Sequence, residues 1–254
     1  MKVHHVTFAT HEYMIPALLL RRSTRRFGLR TRIYSRWSPV IRSLIHREPE
    51  KMMARRGAGY WRWKPWIILD TFRHAKEGDL VFYTDAAMEM IADPAPLFAL
   101  AAEHSIVLFE HGRNPDGTAS LPMSAWTKRD CFVLMDADEP RYHDAQQLLG
   151  GFQMYRVCAE SREFLRRLAE ETMDDRKVSD LPNASGLPNL PGFKDHRHDQ
   201  SVLSILGMKL GAHTLTDPSD QNESGGPIFW LHRRRSRFYI RRFLNRLRSS
   251  PSGS

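Results

Sequence analysis

Apolar residues in the first part of the chain switch between the spacing of strands and the spacing of helices. The run "VHHVTFAT" is β-rich, "EYMIPALLLRRSTRRFG" places apolar residues at helical intervals up to Gly28, and "LRTRIYS" is typical of a second strand. This order predicts a βαβ unit whose two strands lie parallel in one sheet. Ligands of such sheets bind beyond the carboxyl ends of the strands, which makes residues 9–12 a candidate nucleotide site.

The centre of the chain continues this alternation. Residues 38–56 are polar, basic and interrupted by Pro, which favours a helical or irregular insertion over a strand. The next segment predicts a helix that Gly78 ends, because apolar residues recur at helical offsets: Trp63, Ile67, Ile68 and Phe72. "LVFYTDAAMEM" and "SIVLFEH" are typical of buried strands. The first of them leads into Asp85, and an acid at the exit of an apolar strand indicates a functional position.

The second half of the chain predicts fewer strands and more helices. "LPMSAWTKRDCFVLM" has the pattern of one Ser/Thr-capped helix, "LLGGFQMYRV" that of a Gly-Gly turn followed by a strand, and "ESREFLRRLAEETMDD" that of an amphipathic helix. Residues 179–194 are dense in Pro, Gly, Asn and Ser and predict a loop, after which a helix begins near Asp199. "PIFWL" predicts a short strand, residues 232–248 a basic amphipathic helix, and residues 249–254 a disordered tail.

Charge is distributed unevenly along a chain whose net charge is +9. Residues 21–56 hold twelve Lys/Arg and two acids, residues 232–248 hold eight Arg and no acid, and the rest therefore carries a net charge of −9. Basic patches favour polyanionic partners: nucleic acid, an anionic membrane surface or the phosphates of a nucleotide. Composition does not distinguish among these three.

The cysteines and the apolar runs exclude other classes. Cys131 and Cys158 are the two cysteines, and they lack metal-type spacing, so a disulfide scaffold is excluded and reduced thiols are expected. There is no run of 18 or more apolar residues, and "MKVHHVTFAT" lacks the apolar segment of a secretory signal. We therefore expect a cytoplasmic protein.

Three segments carry a resemblance to a known family. In this order and spacing, "GYWRWKPWIILDTF...GDLVFYTDAA", "WTKRD...GGFQMYR" and "DHRHDQSVLSIL" resemble bacterial sugar transferases of the GT-A fold, the nucleotide-diphospho-sugar transferase superfamily. The resemblance covers roughly residues 3–233. It implies one α/β, Rossmann-like domain over residues 1–231 with a mixed, mostly parallel central sheet and flanking helices. Residues 1–111 would bind the nucleotide sugar and residues 112–231 the acceptor.

The resemblance also implies an activity and the residues that perform it. The activity is transfer of a sugar from a nucleoside-diphosphate sugar to a saccharide or lipid-linked acceptor, in the synthesis of surface polysaccharide or glycoconjugate. In the family, basic residues near "WRWKP" face the diphosphate, "GGFQMYR" contacts the sugars, and the Asp-Gln pair of "DHRHDQS" lines the donor sugar or deprotonates the acceptor hydroxyl. The implied donor-binding residues are Thr10, Arg62, Lys64, Thr84, Asp85 and His232; the acceptor-binding residues are Gly151, Gln153 and His198; the catalytic residues are Asp199 and Gln200.

A divalent metal is a weaker implication. GT-A enzymes usually place an Asp-x-Asp at this strand end to hold Mn²⁺ or Mg²⁺ against the diphosphate. Here "YTDAA" supplies Asp85 but then Ala87, so the metal would need another ligand, either extra water or a histidine from His196, His198 and His232. We assign His196 beside Asp85. The literal Asp-x-Asp of Asp136 and Asp138 is a less favoured alternative, because the run before it has helical spacing.

Each assignment competes with a structural alternative. Trp61, Trp63 and Trp66 would either stack on the ligand or pack the core. Asp199 would either do chemistry or cap its helix, and the Gly-Gly pair either allows close approach of substrate or forms an ordinary turn.

Other functional classes and a membrane role remain open from the sequence. A nucleic-acid-binding protein would use the basic segments with Trp/Tyr stacking, but the acidic body counts against a nucleic-acid partner. A transferase homologue that has lost catalysis is the other alternative. On the C-terminal helix, one face collects Tyr239, Ile240, Phe243, Leu244 and Leu247. That face would lie on an anionic membrane, placing the protein peripherally at its inner side, or dock on the domain.

Overall fold

The predicted βαβ unit is present at the start of the chain. The computed structural model describes residues 1–220 and 226–249, and in it strand β1 (Val3–Phe8), helix α1 (Met14–Arg25) and strand β2 (Thr31–Tyr34) follow one another, with a short 3-10 helix (His11–Tyr13) before α1. β1 and β2 pair in parallel. Gly28 has a φ of 73°, a left-handed conformation that glycine adopts without strain, and it lies in the turn from α1 to β2.

Within the described residues, six strands form one mixed sheet in the order β2-β1-β3-β6-β5-β7. β6 (Leu148–Arg156) is antiparallel to β3 (Leu80–Thr84) and to β5 (Ile106–Glu110), while β1 is parallel to both of its neighbours and β7 (His213–Thr216) is parallel to β5. A separate small sheet pairs β4 (Met88–Met90) with β8 (Phe229–Leu231). The prediction of an α/β fold with a mixed, mostly parallel sheet is confirmed.

Helices flank this sheet. After α1 the chain forms α2 (Pro39–Arg47), α3 (Pro49–Met53), α4 (Gly57–Tyr60), α5 (Trp63–Phe72), α6 (Ala95–Ala102), α7 (Met123–Trp126), α8 (Arg129–Leu134), α9 (Pro140–His143), α10 (Ala159–Glu171), α11 (Asp175–Val178), α12 (Asp199–Lys209) and α13 (Ser236–Ser249). The basic, Pro-containing segment over 38–56, predicted to be helical or irregular, therefore forms helices.

The core lies on both faces of the sheet. Strand β3 is buried along its whole length, and its side chains alternate between two apolar clusters. Val81 and Tyr83 pack in the cluster that includes α5, α10 and α12, while Leu80 and Phe82 pack in the cluster that includes α6 and the β4–β8 pair. Burial on both faces explains why this strand is a continuous apolar run instead of an alternating one.

The predicted single helix over residues 121–135 is wrong. The chain forms α7 and α8 with an extended break at Thr127 and Lys128. At the break the Thr127 hydroxyl donates to Gln147, and the buried Lys128 ammonium donates to the carbonyl oxygens of Ser179 and Leu181. These long-range hydrogen bonds replace helical ones, and sequence spacing does not report them.

A left-handed turn precedes α5. Residues 57–61, "GAGYW", all have positive φ, from 51° at Ala58 to 98° at Gly59. Left-handed backbone costs roughly 1–2 kcal/mol for each residue with a Cβ, so packing must hold the turn in place. The Trp61 ring covers Gly57 so closely that a Cβ on Gly57 would lie 2.3 Å from it. The residues "GYW" therefore belong to this turn, and the helix begins at Trp63.

The C-terminal helix begins later than predicted. His232 and Arg233 donate their backbone N–H groups to the carbonyl oxygen of Ala87, so they continue the path of β8, and α13 begins at Ser236. The predicted disordered tail, apart from Ser249 at the end of α13, lies outside the described residues, as does the side chain of Leu247.

Candidate functional site

An open cleft of about 1690 Å³ lies at the carboxyl edge of β1, β3, β5 and β7. The chain leaving each of these strands contributes to its wall, through Thr10, Asp85, His111 and Asp217 respectively. Because β6 runs antiparallel, its beginning reaches the same edge and adds Gly151. The predicted nucleotide segment over residues 9–12 lines this cleft.

A buried lysine joins the two predicted acids. Lys64, on the first turn of α5, is 4% exposed, and its ammonium lies 2.8 Å from Asp199 Oδ2 and 3.8 Å from Asp85 Oδ1. It also donates to the carbonyl oxygen of Gly150 at 2.9 Å. The Tyr83 hydroxyl donates to Asp85 Oδ1 at 2.5 Å. The structure thus brings Lys64, Asp85 and Asp199 together from three separate elements, and we call them the Lys64 cluster.

The Gly-Gly pair makes room for the Lys64 cluster. A Cβ at Gly150 would lie 3.2 Å from Lys64 Nζ, and a Cβ at Gly151 would lie 3.2 Å from Asp85 Oδ2. Gln200 completes this wall by accepting a hydrogen bond from the Gly150 backbone N–H at 3.2 Å. Side chains of the protein approach this Gly-Gly pair closely, and the predicted approach of substrate to it stays a prediction.

Burial and charge shift the protonation of the Lys64 cluster in a consistent direction. Burial raises the pKa of the Asp199 carboxyl to about 6, and the ammonium of Lys64 limits that rise. Burial alone would lower the pKa of Lys64, but the charges of Asp199 and Asp85 raise it above its ordinary value. Burial also raises the pKa of Tyr83. Near neutral pH the lysine is charged, and Asp199 is a carboxylate that takes up a proton in mild acid.

The cleft is lined by more cations than anions. Its acids are Glu12, Asp85 and Asp217, and its arginines are Arg36, Arg55, Arg56, Arg197, Arg233 and Arg235. Arg56 pairs with Asp180 and Asp195, and Arg235 pairs with Glu12, so part of this charge is compensated. The remainder makes the cleft suited to an anionic ligand.

The predicted donor contact of Arg62 is wrong. Its side chain is completely buried outside the cleft, where it donates from Nε to Thr172 O at 2.8 Å, from Nη1 to Lys51 O at 3.1 Å, and from Nη2 to the carboxylate of Asp175. Arg62 and Lys64 diverge because they lie two positions apart at the start of a helix, where such neighbours do not share a face. Arg62 ties α3 and α11 to the start of α5.

We expect Arg62→Met to lower the free energy of unfolding by about 3 kcal/mol, because it leaves buried carbonyl oxygens without their donor. Urea unfolding followed by circular dichroism measures this. The affinity of the remaining folded protein for a nucleotide should equal that of the wild type. A variant of unchanged stability with weakened nucleotide binding would restore the predicted donor role.

Two other residues predicted to contact the substrates, Thr84 and Gln153, have side chains that point away from the cleft. Thr84 is fully buried, and its hydroxyl is hydrogen-bonded to His5 Nε2 at 3.0 Å. Gln153 is 1% exposed; it donates to Gly150 O at 3.1 Å and accepts from the Tyr155 hydroxyl at 2.8 Å. Both lie on strands buried on both faces, and their polar groups are satisfied inside the protein. The prediction that they contact the sugar or the nucleotide directly is therefore wrong.

The two histidines of "DHRHDQS" are also buried in the protein. His196 accepts from the Lys128 backbone N–H at 3.3 Å through Nδ1 and donates to Lys177 O at 2.8 Å through Nε2. His198 donates from Nδ1 to Val178 O at 2.8 Å, and its ring packs against Tyr60 and Trp61. Burial lowers the pKa of both rings. The metal role of His196 and the acceptor role of His198 are therefore wrong.

The remaining predicted residues have mixed positions. Thr10 lines the cleft, and its Oγ1 is buried with no hydrogen-bond partner among the described residues. His232 is outside the lining, accepts from the Arg234 backbone N–H at Nδ1, and has its pKa lowered by burial. Among the tryptophans, Trp61 borders the cleft, and Trp63 is buried against Phe8 with ring centroids 3.9 Å apart.

The residues present do not fit a divalent metal. Within the described residues, no group of three or more His, Cys, Asp or Glu side chains is arranged to hold an ion. Asp85 lacks the second acid at Ala87, and the ammonium of Lys64 already pairs with both carboxylates of the cluster. The alternative acids lie elsewhere: Asp138 pairs with Arg129 and His143, and Asp136 is outside the cleft lining.

Sequence reasoning missed a His–Asp contact in the cleft that joins the two predicted halves of the domain. His111 Nδ1 lies 3.1 Å from Asp217 Oδ2, and Asp217 also accepts from Ser219. These hydrogen bonds and the charge of His111 hold the pKa of Asp217 below its ordinary value, in spite of burial. The signal available for His111 was its position after an apolar strand, the same signal that singled out Asp85.

Comparisons with known proteins identify the fold. No family model matches the sequence, and no curated protein matches it significantly. The chain is similar to the crystal structure of a glycosyltransferase involved in the glycosylation of the major capsid of PBCV-1, with a TM-score of 0.50 and 10% identity over 97% of this chain and 100% of that one. Lower scores are found for mouse xyloside xylosyltransferase 1 (0.46, 10% identity, 86% of each chain) and for the galactosyltransferase LgtC with donor and acceptor sugar analogs (0.40, 12% identity, 80% of this chain and 70% of that one). The chain therefore has the GT-A glycosyltransferase fold.

Proposed function

We propose that this protein transfers a sugar from a nucleoside-diphosphate sugar to a saccharide or lipid-linked acceptor. The observation that carries the proposal is the Lys64 cluster, which lies at the carboxyl edge of a GT-A sheet beside a cleft rich in arginine. A buried ion pair is costly because both charges lose their hydration, and such pairs are common at functional sites; here Asp85 connects the pair to the lining of the cleft.

The chemistry assigns different tasks to the side chains at the cleft. In the transfer, the bond from the sugar C1 to the diphosphate oxygen breaks, a bond from C1 to the acceptor oxygen forms, and the acceptor hydroxyl loses its proton. The cationic side chains would stabilise the negative charge that develops on the leaving diphosphate. Asp199 is suited to accept the proton or to orient the sugar, with Gln200 beside it. Thr10 and Asp85 would contact the donor and Gly151 the acceptor.

Isothermal titration with UDP, GDP, CMP and their sugar conjugates tests the proposal. Binding of one nucleotide family at micromolar Kd that weakens in Asp85→Ala supports it. Transfer is then assayed with the sugar conjugate that binds. Binding of the donor without hydrolysis or transfer would favour the homologue that has lost catalysis. Salt-sensitive oligonucleotide binding that Asp85→Ala leaves unchanged would favour the nucleic-acid alternative.

The C-terminal helix suits peripheral contact with an anionic membrane, at the cytoplasmic side in this proposal. α13 packs on the domain through its first turn, where Ser236 is hydrogen-bonded to Ile15 and His11. Farther along, Ile240, Phe243 and Leu244 are 50%, 62% and 47% exposed. Arg237, Arg241 and Arg242 accompany them without any acid over residues 232–248. In the described residues no helix is long and apolar enough to span a membrane, so this contact would be interfacial.

We expect the protein to float with vesicles that contain anionic phosphatidylglycerol and to stay in solution with pure phosphatidylcholine vesicles. Each basic residue near an anionic surface contributes about 1 kcal/mol, and burial of Phe243 adds to this. Replacing Ile240 and Phe243 by Ser should abolish flotation. Leu100→Ser, at an exposed leucine on α6, is the matched control and should leave it unchanged. Equal flotation of all three proteins would remove α13 as the contact.

A further inference from the structure

We infer that the donor diphosphate is bound by the guanidinium of Arg233 in place of a divalent cation. The inference rests on the proposed function, which supplies the diphosphate. Arg233 lies next to Ala87, the position at which a second acid would complete a metal-binding pair with Asp85.

The backbone brings Arg233 to this position. Ala87 stands where a second acid would follow Asp85, and its carbonyl oxygen accepts backbone hydrogen bonds from both His232 and Arg233 at 3.2 Å. The β4–β8 ladder continues this pairing, with Met88 opposite Leu231. The chain after β8 is therefore held against the segment that follows Asp85, and Arg233 is adjacent to the site of the missing acid.

The side chain of Arg233 is available for a ligand. It is exposed and lines the cleft, and among the described residues its guanidinium has no hydrogen bond or ion pair. Its φ of 52° is a left-handed conformation that a long side chain adopts at a cost. Strain of this kind occurs at ligand sites, where surrounding contacts hold the backbone against it. Here the two hydrogen bonds to Ala87 supply such contacts.

The charges around Asp85 favour a guanidinium over a metal ion. The single positive charge of Lys64 offsets one of the two negative charges of Asp85 and Asp199, so these acids attract a further cation less than two acids without a lysine would. Arg233 adds a charge that no acid among the described residues pairs with. A guanidinium binds two phosphate oxygens at once through parallel N–H donors and keeps its charge at all physiological pH values. Arg233 would thus offset part of the charge of the diphosphate without a metal ion.

The experiment is isothermal titration of the full chain with UDP, GDP, CDP and ADP, in excess chelator and then with Mn²⁺ or Mg²⁺. We expect the nucleotide that binds to show the same Kd in all three conditions. Arg233→Ala should weaken its binding roughly 10- to 100-fold, the effect of removing a hydrogen bond to a charged group. Arg166→Ala removes an exposed arginine of α10 and should leave Kd unchanged.

A second variant tests the position of Arg233. Ala87→Asp supplies an acid for Arg233 to pair with, so binding in chelator should weaken, while Mn²⁺ should restore part of it through the new Asp-x-Asp. Unchanged binding by both Arg233→Ala and Ala87→Asp would overturn the inference. Binding that requires Mn²⁺ or Mg²⁺ in the wild type would also overturn it and leave the proposed transferase intact. No nucleotide binding in any condition would remove both.

Discussion

The Lys64→Met variant is expected to unfold with about 3–5 kcal/mol less free energy than the wild type at neutral pH. Removing one partner of a buried ion pair leaves the other charge without compensation in a poorly solvated place, and this cost is of that order. Lys64 is 4% exposed and the side chain of Asp199 is 9% exposed, so neither charge is relieved by water. Methionine keeps most of the volume, so a cavity contributes little to the loss.

Urea unfolding across pH measures the effect and its origin. The pKa of Asp199 is raised to about 6 in the folded protein, above its unfolded value, so this group contributes stability that is full below about pH 4 and is lost as pH rises through 6. Without Lys64 the pKa of Asp199 rises further, and the loss at neutral pH grows. The difference in free energy of unfolding between the wild type and Lys64→Met should therefore become smaller as the pH is lowered from 7 to 4.

Two comparisons decide whether the ion pair causes the loss. Lys76→Met, at an exposed lysine, should change stability by less than about 0.5 kcal/mol. In an Asp199→Asn background, Lys64→Met should cost less than it does alone, because no buried carboxylate is left unpaired. Equal losses in the two backgrounds would show that Lys64 acts through packing rather than through its charge.

The sequence predicted the elements that local pattern determines. Apolar runs identified β3 and β5, the βαβ order predicted parallel β1 and β2, and the acid at the end of β3 identified the cleft edge. Strand β7 and helix α6 were missed. β7 is a four-residue strand that pairs with β5, about 100 positions away in the chain, and so short a segment carries little periodicity of its own.

Side-chain direction accounts for most of the wrong site assignments. Residue type suggested that Arg62, Thr84 and Gln153 would bind a polar ligand, but each satisfies its polar groups inside the protein. On strands buried on both faces, alternation does not indicate which side reaches a ligand. For Arg62 the start of α5 decides the direction, because Arg62 and Lys64 lie two positions apart on a helical path and so face different sides.

Asp199→Asn is expected to lower the rate of sugar transfer about 10²- to 10⁴-fold, the usual contribution of a positioned general base. The Kd of the nucleotide should stay within about threefold of the wild-type value, because the carboxylate that is lost does not contact a phosphate. Asparagine has nearly the same shape but accepts no proton. The variant leaves the buried ammonium of Lys64 with Asp85 and Gly150 O as partners, so its stability should also fall; its Tm is measured in parallel, and the rates are compared below that temperature.

The pH profile separates a chemical role of Asp199 from a merely structural one. In the wild type the transfer rate should rise with pH through about 6, because burial raises the pKa of Asp199 to that value and only the carboxylate accepts a proton. The residual rate of Asp199→Asn should lack this step. Asp136→Asn, at an exposed acid outside the cleft lining, is the matched control and should keep both the rate and the profile. If Asp199→Asn retained the step at pH 6, Asp199 would not be the group that controls the rate.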